Sequence, residues 1–171
     1  DLVRLVLNTD YRLKEDAGSH VGFTDLTSEL DVHPTEWLSF YFDSDYDLHA
    51  DNLKEANFDL SLREKGEDPK WHFYVSKRLN VDVDDILTTR LSYRINPKWF
   101  FEVYERFDLA GGNWEGQEYK LTRDLHSWEM DIILNDKRNG GTEILFAFRL
   151  KAFPEMGFDF GATVSERRSG S

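Results

Sequence analysis

The chain has 171 residues, with 33 acidic and 21 basic side chains and no cysteine. Its formal net charge of −12 argues against nucleic acid as a partner, because binding to the phosphate backbone needs a basic surface. The lack of cysteine excludes disulfides and thiolate metal sites within these residues. No apolar run approaches the roughly 18 residues of a transmembrane helix.

Ten β-strands are predicted along the chain, because apolar and polar side chains alternate with a period of two between turn-forming segments. The predicted strands span residues 2–13, 21–33, 37–48, 52–63, 70–79, 86–95, 98–109, 115–125, 128–137 and 142–153. The connections between them are too short for parallel crossovers. The predicted fold class is therefore all-β, an antiparallel up-and-down meander of about ten strands.

Three of the predicted turns contain Asn, Asp or Gly, which tolerate the positive φ angles of tight hairpins. These turns are residues 50–52, 111–113 and 139–141. The segment 154–171 follows the tenth predicted strand and is either a tail outside the sheet or an eleventh strand.

Four tryptophans recur at nearly regular intervals, with Trp37, Trp71, Trp99 and Trp128 spaced 34, 28 and 29 residues apart. A tryptophan after every second turn places these indoles along one edge of the sheet. Indoles at one height are typical of a membrane interface, because the ring is apolar and its N–H needs a wet partner. The four are therefore the candidate membrane-interface residues. Trp37 alone has the wrong parity for its strand, which predicts a bulge after Pro34.

The alternation fits two arrangements of the sheet. A soluble β-sandwich or ligand-binding β-barrel would bury the apolar face and expose the charged face. A transmembrane barrel would turn the apolar face to lipid. Aromatic-rich apolar faces, strands long enough to cross a bilayer at a tilt and the row of indoles favour the transmembrane barrel.

Charged side chains on the polar face would then line a hydrophilic lumen. The lumen-facing candidates are Asp43, Asp45, Asp47, Asp59, Glu102, Arg106, Asp108 and Glu118. In a soluble protein the same residues would form a solvated face, balanced by cations on neighbouring strands. Two charged residues, Glu105 and Arg123, fall on the apolar faces of their strands, which predicts a position near a rim or at a bulge.

The residue pattern predicts neither a catalytic nor a metal site. The five histidines have no ligand-type companions at tight spacing, so no metal centre is expected. Ser76 and His72 share a face and could form the dyad of a lipid hydrolase, but no nucleophile motif surrounds Ser76. No cofactor is expected.

Four segments resemble, in order, the C-terminal end of the LPS-assembly protein LptD family, the organic solvent tolerance proteins. They are residues 94–99 (RINPKW), 104–109 (YERFDL), 118–129 (EYKLTRDLHSWE) and 148–153 (FRLKAF). Residues 30–38 (LDVHPTEWL) resemble another hairpin of that barrel. The family often has cysteine where this chain has Ser127, so the disulfide made from that position is not implied here.

This resemblance implies that residues 1–153 form a C-terminal segment of a transmembrane β-barrel, followed by a periplasmic tail or an extra strand. It implies an outer-membrane location in a Gram-negative bacterium and a role in inserting lipopolysaccharide into the outer leaflet, without enzymatic activity. The implied partners are lipopolysaccharide, outer-membrane lipid, a plug lipoprotein and the periplasmic bridge proteins of the transport system. The alternatives are a generic outer-membrane porin, an outer-membrane lipid hydrolase and a soluble ligand-binding β-barrel.

Overall fold

Eleven β-strands make up the computed structural model, which describes residues 2–13, 21–138 and 140–164, the side chains of 154–156 and 163–164 excepted. The strands are β1 (Val3–Arg12), β2 (Gly22–Thr35), β3 (Leu38–Asp47), β4 (Asn52–Arg63), β5 (Trp71–Asn80), β6 (Asp84–Asn96), β7 (Trp99–Asp108), β8 (Asn113–Asp124), β9 (Trp128–Lys137), β10 (Gly141–Leu150) and β11 (Phe153–Val164). Within these ranges no helix is long and apolar enough to cross a membrane.

Each strand pairs with its neighbours in the chain, so the order in the sheet is the order in the sequence. The predicted all-β antiparallel meander is confirmed, and β1 to β10 match the ten predicted strands to within a few residues. The sheet continues beyond them into β11, while residues 165–171 lie outside the described part. β1 and β11 are free edges, because no pairing joins them among the described residues, and the sheet is open.

Several hairpins turn through residues with positive φ. Asp51, Gly112 and Gly141 have φ angles of 53°, 64° and 74°, which confirms the turn chemistry predicted at those sites; Asn139 lies outside the described residues. Asp82 and His126 also adopt positive φ, at 64° and 74°. A residue with a β-carbon is strained in this conformation, although Asn, Asp and His adopt it more readily than others.

A bulge interrupts the pairing of β2 with β3 near Pro34. Val32 lies opposite Phe40, but Thr35 lies opposite Leu38, so β2 carries one extra residue between these pairs. Proline supplies no N–H to the ladder and is tolerated at bulges. A bulge is therefore present next to Pro34, between Val32 and Thr35, but not after Pro34 as predicted, and it does not bring Trp37 to the apolar face.

The hairpins group at two ends of the sheet. The turns 36–37, 64–70, 97–98, 125–127 and 151–152 lie at the end that carries the four tryptophans, here called the tryptophan end. The turns 48–51, 81–83 and 109–112 lie at the opposite end, as do the strand ends Arg12, Gly22, Lys137 and Gly141.

The fold has one layer rather than two. Its accessible surface is 12358 Å², whereas a compact monomer of this mass, 20.1 kDa, exposes roughly 8,700 Å². Burial of side chains therefore depends on curvature of the sheet and on neighbouring strands, not on a second layer.

Candidate functional site

The lumen-facing candidates share one face of the sheet, here called the polar face. Residues directly opposite each other on neighbouring strands lie on the same face, and such pairs link Asp43 to Asn57, Asp59 to Ser76 and Glu102 to Lys120. Following these pairs across the sheet places all eight candidates on the polar face: Asp43, Asp45, Asp47, Asp59, Glu102, Arg106, Asp108 and Glu118. That this face encloses a lumen stays a prediction.

The polar face is also where side chains are most shielded from solvent. Five described residues are buried, and all five lie on this face: Asn57, Ser76, Ile86, Asp131 and Ala147. A single-layer sheet can bury side chains on one side only by curving toward that side. The polar face is therefore concave.

The opposite face, here called the apolar face, remains uncovered although it carries the large hydrophobic side chains. Leu91 on β6 and Ile144 and Phe146 on β10 are 37%, 38% and 41% exposed. Aromatic pairs lie at the end opposite the tryptophans, where Tyr11 packs edge-on against Phe23 and Phe107 against Trp114. The apolar face thus has aromatic rings at both ends and aliphatic and aromatic side chains between them.

The four predicted interface tryptophans lie at one end of the sheet but on two different faces. Trp71, Trp99 and Trp128 lie opposite Tyr93, Arg123 and Leu150 on the apolar face. Trp37 instead lies beside residues of the polar face, and its carbonyl accepts a hydrogen bond from the Arg63 N–H at 2.9 Å. An interface role remains a prediction for the first three, and Trp37 departs from their pattern.

Asp131 is the centre of the most shielded polar network. Its carboxylate accepts hydrogen bonds from Thr122 Oγ1 at 2.7 Å and from Arg149 Nη2 at 2.6 Å, and Lys120 Nζ lies 3.6 Å away. Lys120 also approaches Glu102, at 3.7 Å. These contacts join β7, β8, β9 and β10 and compensate a carboxylate that burial would otherwise destabilise.

A second network crosses β3, β4 and β5. Arg78 Nη2 donates to Asp59 at 2.8 Å, and Tyr74 donates its hydroxyl to the same carboxylate at 2.9 Å. The Asn57 amide bridges two acids, donating to Asp43 at 2.9 Å and to Glu55 at 2.6 Å. Asn57 and Lys120 were not among the sequence candidates, and only the register of the strands reveals their roles.

The charged residues on the apolar face occupy the predicted kinds of position. Glu105 accepts hydrogen bonds from Thr89 at 3.3 Å and Tyr119 at 3.4 Å, and a register shift follows it between Arg106 and Phe107. Arg123 lies next to the end of β8, with its guanidinium carbon 4.9 Å from the centre of the Trp99 ring.

The suggested Ser76–His72 dyad is not formed. Ser76 is buried opposite Asp59 and Thr88, whereas His72 Nε2 lies 2.7 Å from the hydroxyl of Ser61. Among the described residues, no group of three or more His, Asp or Glu side chains is arranged to hold a metal ion.

One ion pair involves a loop at the tryptophan end. Arg94, on β6, pairs with Asp68 in the turn 64–70. The hydrogen bond from this guanidinium, reinforced by its positive charge, lowers the pKa of the Asp68 carboxyl below its ordinary value. The contact therefore ties the longest described turn of this end to the neighbouring hairpin.

Comparison with known proteins adds no family assignment. No protein-family model matches the chain, and no curated protein matches it significantly. The geometry and the residue pattern are therefore the basis for the functional argument.

Proposed function

We propose that this chain is a segment of an outer-membrane β-barrel of a Gram-negative bacterium, with the apolar face toward lipid and the polar face toward a lumen. The observation that carries the proposal is the distribution of burial. The buried side chains among the described residues all lie on the polar face, while the large hydrophobic side chains of the other face are half-buried or exposed. A soluble β-sandwich has the reverse distribution, because it packs its apolar faces together.

The aromatic residues of the apolar face support the same orientation. Eight residues along β7 separate Trp99, at the tryptophan end, from Phe107, which packs on Trp114 near the other end. This is about 26 Å of strand, or about 20 Å along the membrane normal at a tilt of about 40°, which is close to the roughly 25 Å apolar band that aromatic girdles flank in outer-membrane barrels. An exposed apolar surface of this extent needs a covering phase or partner.

We further propose, from the resemblance to the LptD family, that the barrel serves lipopolysaccharide transport and assembly and is not an enzyme. Three of the four resembling segments, 94–99, 118–129 and 148–153, contain or border turns at the tryptophan end. On this proposal the polar face contacts lipopolysaccharide, and a plug lipoprotein and periplasmic bridge proteins are the partners. A generic porin would have the same arrangement of faces, so a separate experiment must distinguish the two.

The orientation of the faces is tested with two adjacent positions on β5. Val75 lies on the apolar face and Ser76 on the polar face. We expect a spin label at Val75→Cys, in protein reconstituted in liposomes, to be accessible to oxygen and protected from a water-soluble nickel reagent. A label at Ser76→Cys should show the weaker oxygen response. A water-soluble monomer, or nickel access at position 75, would contradict the membrane proposal.

The substrate is tested with two aromatic positions on β7. Phe101 lies on the apolar face and Tyr104 on the polar face. A photoreactive phenylalanine analogue at position 104 should form adducts with lipopolysaccharide in cells, while the analogue at position 101 should capture bulk membrane lipid. Membrane-embedded protein that yields no lipopolysaccharide adduct at position 104 would favour a porin.

A further inference from the structure

Trp37 occupies a position that the membrane proposal leaves unexplained. The other turn tryptophans at its end lie on the apolar face, whereas the indole of Trp37 lines a cleft on the polar face. Lys65 Nζ lies 4.7 Å from the centre of its ring. An indole among charged and hydroxylated side chains, on a face that is otherwise rich in carboxylates, requires a reason other than lipid contact.

The cleft beside Trp37 has a volume of about 600 Å³. It opens at the tryptophan end, between the β2–β3 turn and the adjoining ends of β4 and β5. Its polar lining is formed by His33, Thr35, Glu36, Ser39, Ser61, Arg63 and His72. The volume falls within the roughly 300–1,000 Å³ of sites that hold small organic ligands.

Arg63 supplies a positive charge that has no carboxylate partner among the described residues. Its Nε donates to the Glu36 carbonyl at 2.7 Å, which fixes the guanidinium. Its two terminal amino groups make no hydrogen bond within the described part of the chain. By contrast, Arg78, Arg106 and Arg149 on the same face each pair with an acid. The guanidinium fork of Arg63 therefore suits an oxyanion such as a phosphate.

Besides Arg63 and Glu36, the polar residues of the cleft carry hydroxyl or imidazole groups. Ser39 lies directly opposite Ser61, and the hydroxyl of Ser61 lies 2.7 Å from His72 Nε2. Hydroxyl and imidazole groups both donate and accept hydrogen bonds, as sugar hydroxyls do. The indole offers a flat apolar wall beside them.

We propose that this cleft binds the phosphorylated saccharide of a glycolipid head group. The phosphate lies on the terminal amino groups of Arg63, the sugar ring packs on Trp37, and its hydroxyls exchange hydrogen bonds with Ser39, Ser61 and His72. The carboxylates on the rest of the polar face repel a phosphate, so they confine it to the guanidinium of Arg63. That the phosphorylated saccharide belongs to a lipid rests on the proposed membrane function. That the cleft suits a phosphorylated saccharide rests on its own residues.

The test measures binding of glucose 1-phosphate, glucose, inorganic phosphate and lipopolysaccharide to the whole chain in detergent micelles. Isothermal titration calorimetry measures the affinity of every variant, and shifts of the Trp37 indole N–H resonance in the unsubstituted chain show that the ligand lies in the cleft. We expect glucose 1-phosphate to bind more tightly than glucose or phosphate alone. Arg63→Gln and Trp37→Ala should each weaken binding by on the order of tenfold. If lipopolysaccharide binds and both substitutions weaken its binding, the result supports the site and shows that the ligand is part of a lipid. This holds even if free glucose 1-phosphate does not bind.

Matched control variants are available at the same end of the sheet. Arg123 and Trp99 form a cation–indole pair on the apolar face, so Arg123→Gln and Trp99→Ala should leave binding unchanged. Binding that ignores Arg63 and Trp37, equal affinity for inorganic phosphate, or no binding of any probe would overturn the proposal. Positions 75 and 76 do not line the cleft. The spin-label experiment therefore tests the membrane proposal independently of binding in the cleft.

Discussion

Asp131 has the lowest exposure of the buried residues, 3%. The two cations that it contacts are more exposed. The side chains of Lys120 and Arg149 are 23% and 42% exposed, so water can solvate them when the carboxylate is removed. Breaking a fully buried ion pair costs about 3–5 kcal/mol. The partial exposure of both cations reduces that cost.

Asp131→Ala should therefore lower the free energy of unfolding by about 2–3 kcal/mol, measured by urea titration in detergent. Asp25 provides the control, because it pairs with Lys54 at 2.7 Å while both side chains remain about 40% exposed, at 39% and 43%. Exposed pairs of this kind contribute little, so Asp25→Ala should leave the midpoint nearly unchanged. Equal effects of the two substitutions would show that the network around Asp131 is not a stabilising centre.

At the scale of single elements, the turns show how far local sequence determines conformation. Gly112, Gly141 and Asp51 were expected at positive φ and adopt it, because their intrinsic preferences agree with the hairpins. His126 also adopts positive φ, at 74°, although this position was not predicted. The Asp124 carboxylate accepts a hydrogen bond from its N–H at 2.7 Å, so a side-chain contact holds the turn.

This strain at His126 predicts opposite outcomes for the same substitution in two turns. His126→Gly should raise the free energy of unfolding by about 0.5–1 kcal/mol, because glycine adopts positive φ without steric cost. Lys98→Gly, in a turn position without positive φ, should lower it through the added freedom of the unfolded chain. Urea midpoints of the two variants check the signs. Destabilisation by both would mean that the hydrogen bond to Asp124 removes the strain.

The sequence predicted the strands and their faces but not the details that create the cleft. Alternation places Asp43 and Asp59 on one face regardless of how the sheet curves, so those positions were predictable. Trp37 directly precedes Leu38 of the apolar face, and its carbonyl accepts a hydrogen bond from the N–H of Arg63 on β4. Alternation along β3 therefore places Trp37 on the polar face, and the bulge in β2 does not return it to the apolar face. The proposed contact of Arg63 with a phosphate could not be predicted from the sequence. Whether an acidic side chain lies beside Arg63 depends on the register in which the strands pair.

At the scale of the whole molecule, the sequence could not predict the curvature. A period of two defines two faces but not which of them is concave. The burial of Asp131 and Ser76 on the polar face provides that information. The open edges at β1 and β11 follow from the same pairing pattern, which contains no contact between first and last strands among the described residues.

The two ends of the sheet should face opposite sides of the outer membrane. Turns of two residues, 36–37, 97–98 and 151–152, occur at the tryptophan end, although 64–70 is longer. Short turns are typical of the periplasmic side of outer-membrane barrels, so the turn 81–83 should face outward.

Val83 is 73% exposed there, and the chain has no cysteine of its own. Val83→Cys should react with a membrane-impermeant maleimide on intact cells, and Lys98→Cys only after the outer membrane is permeabilised. Reversed labelling would mean that the barrel is inverted, and labelling of both positions on intact cells would mean that the sheet does not span the membrane.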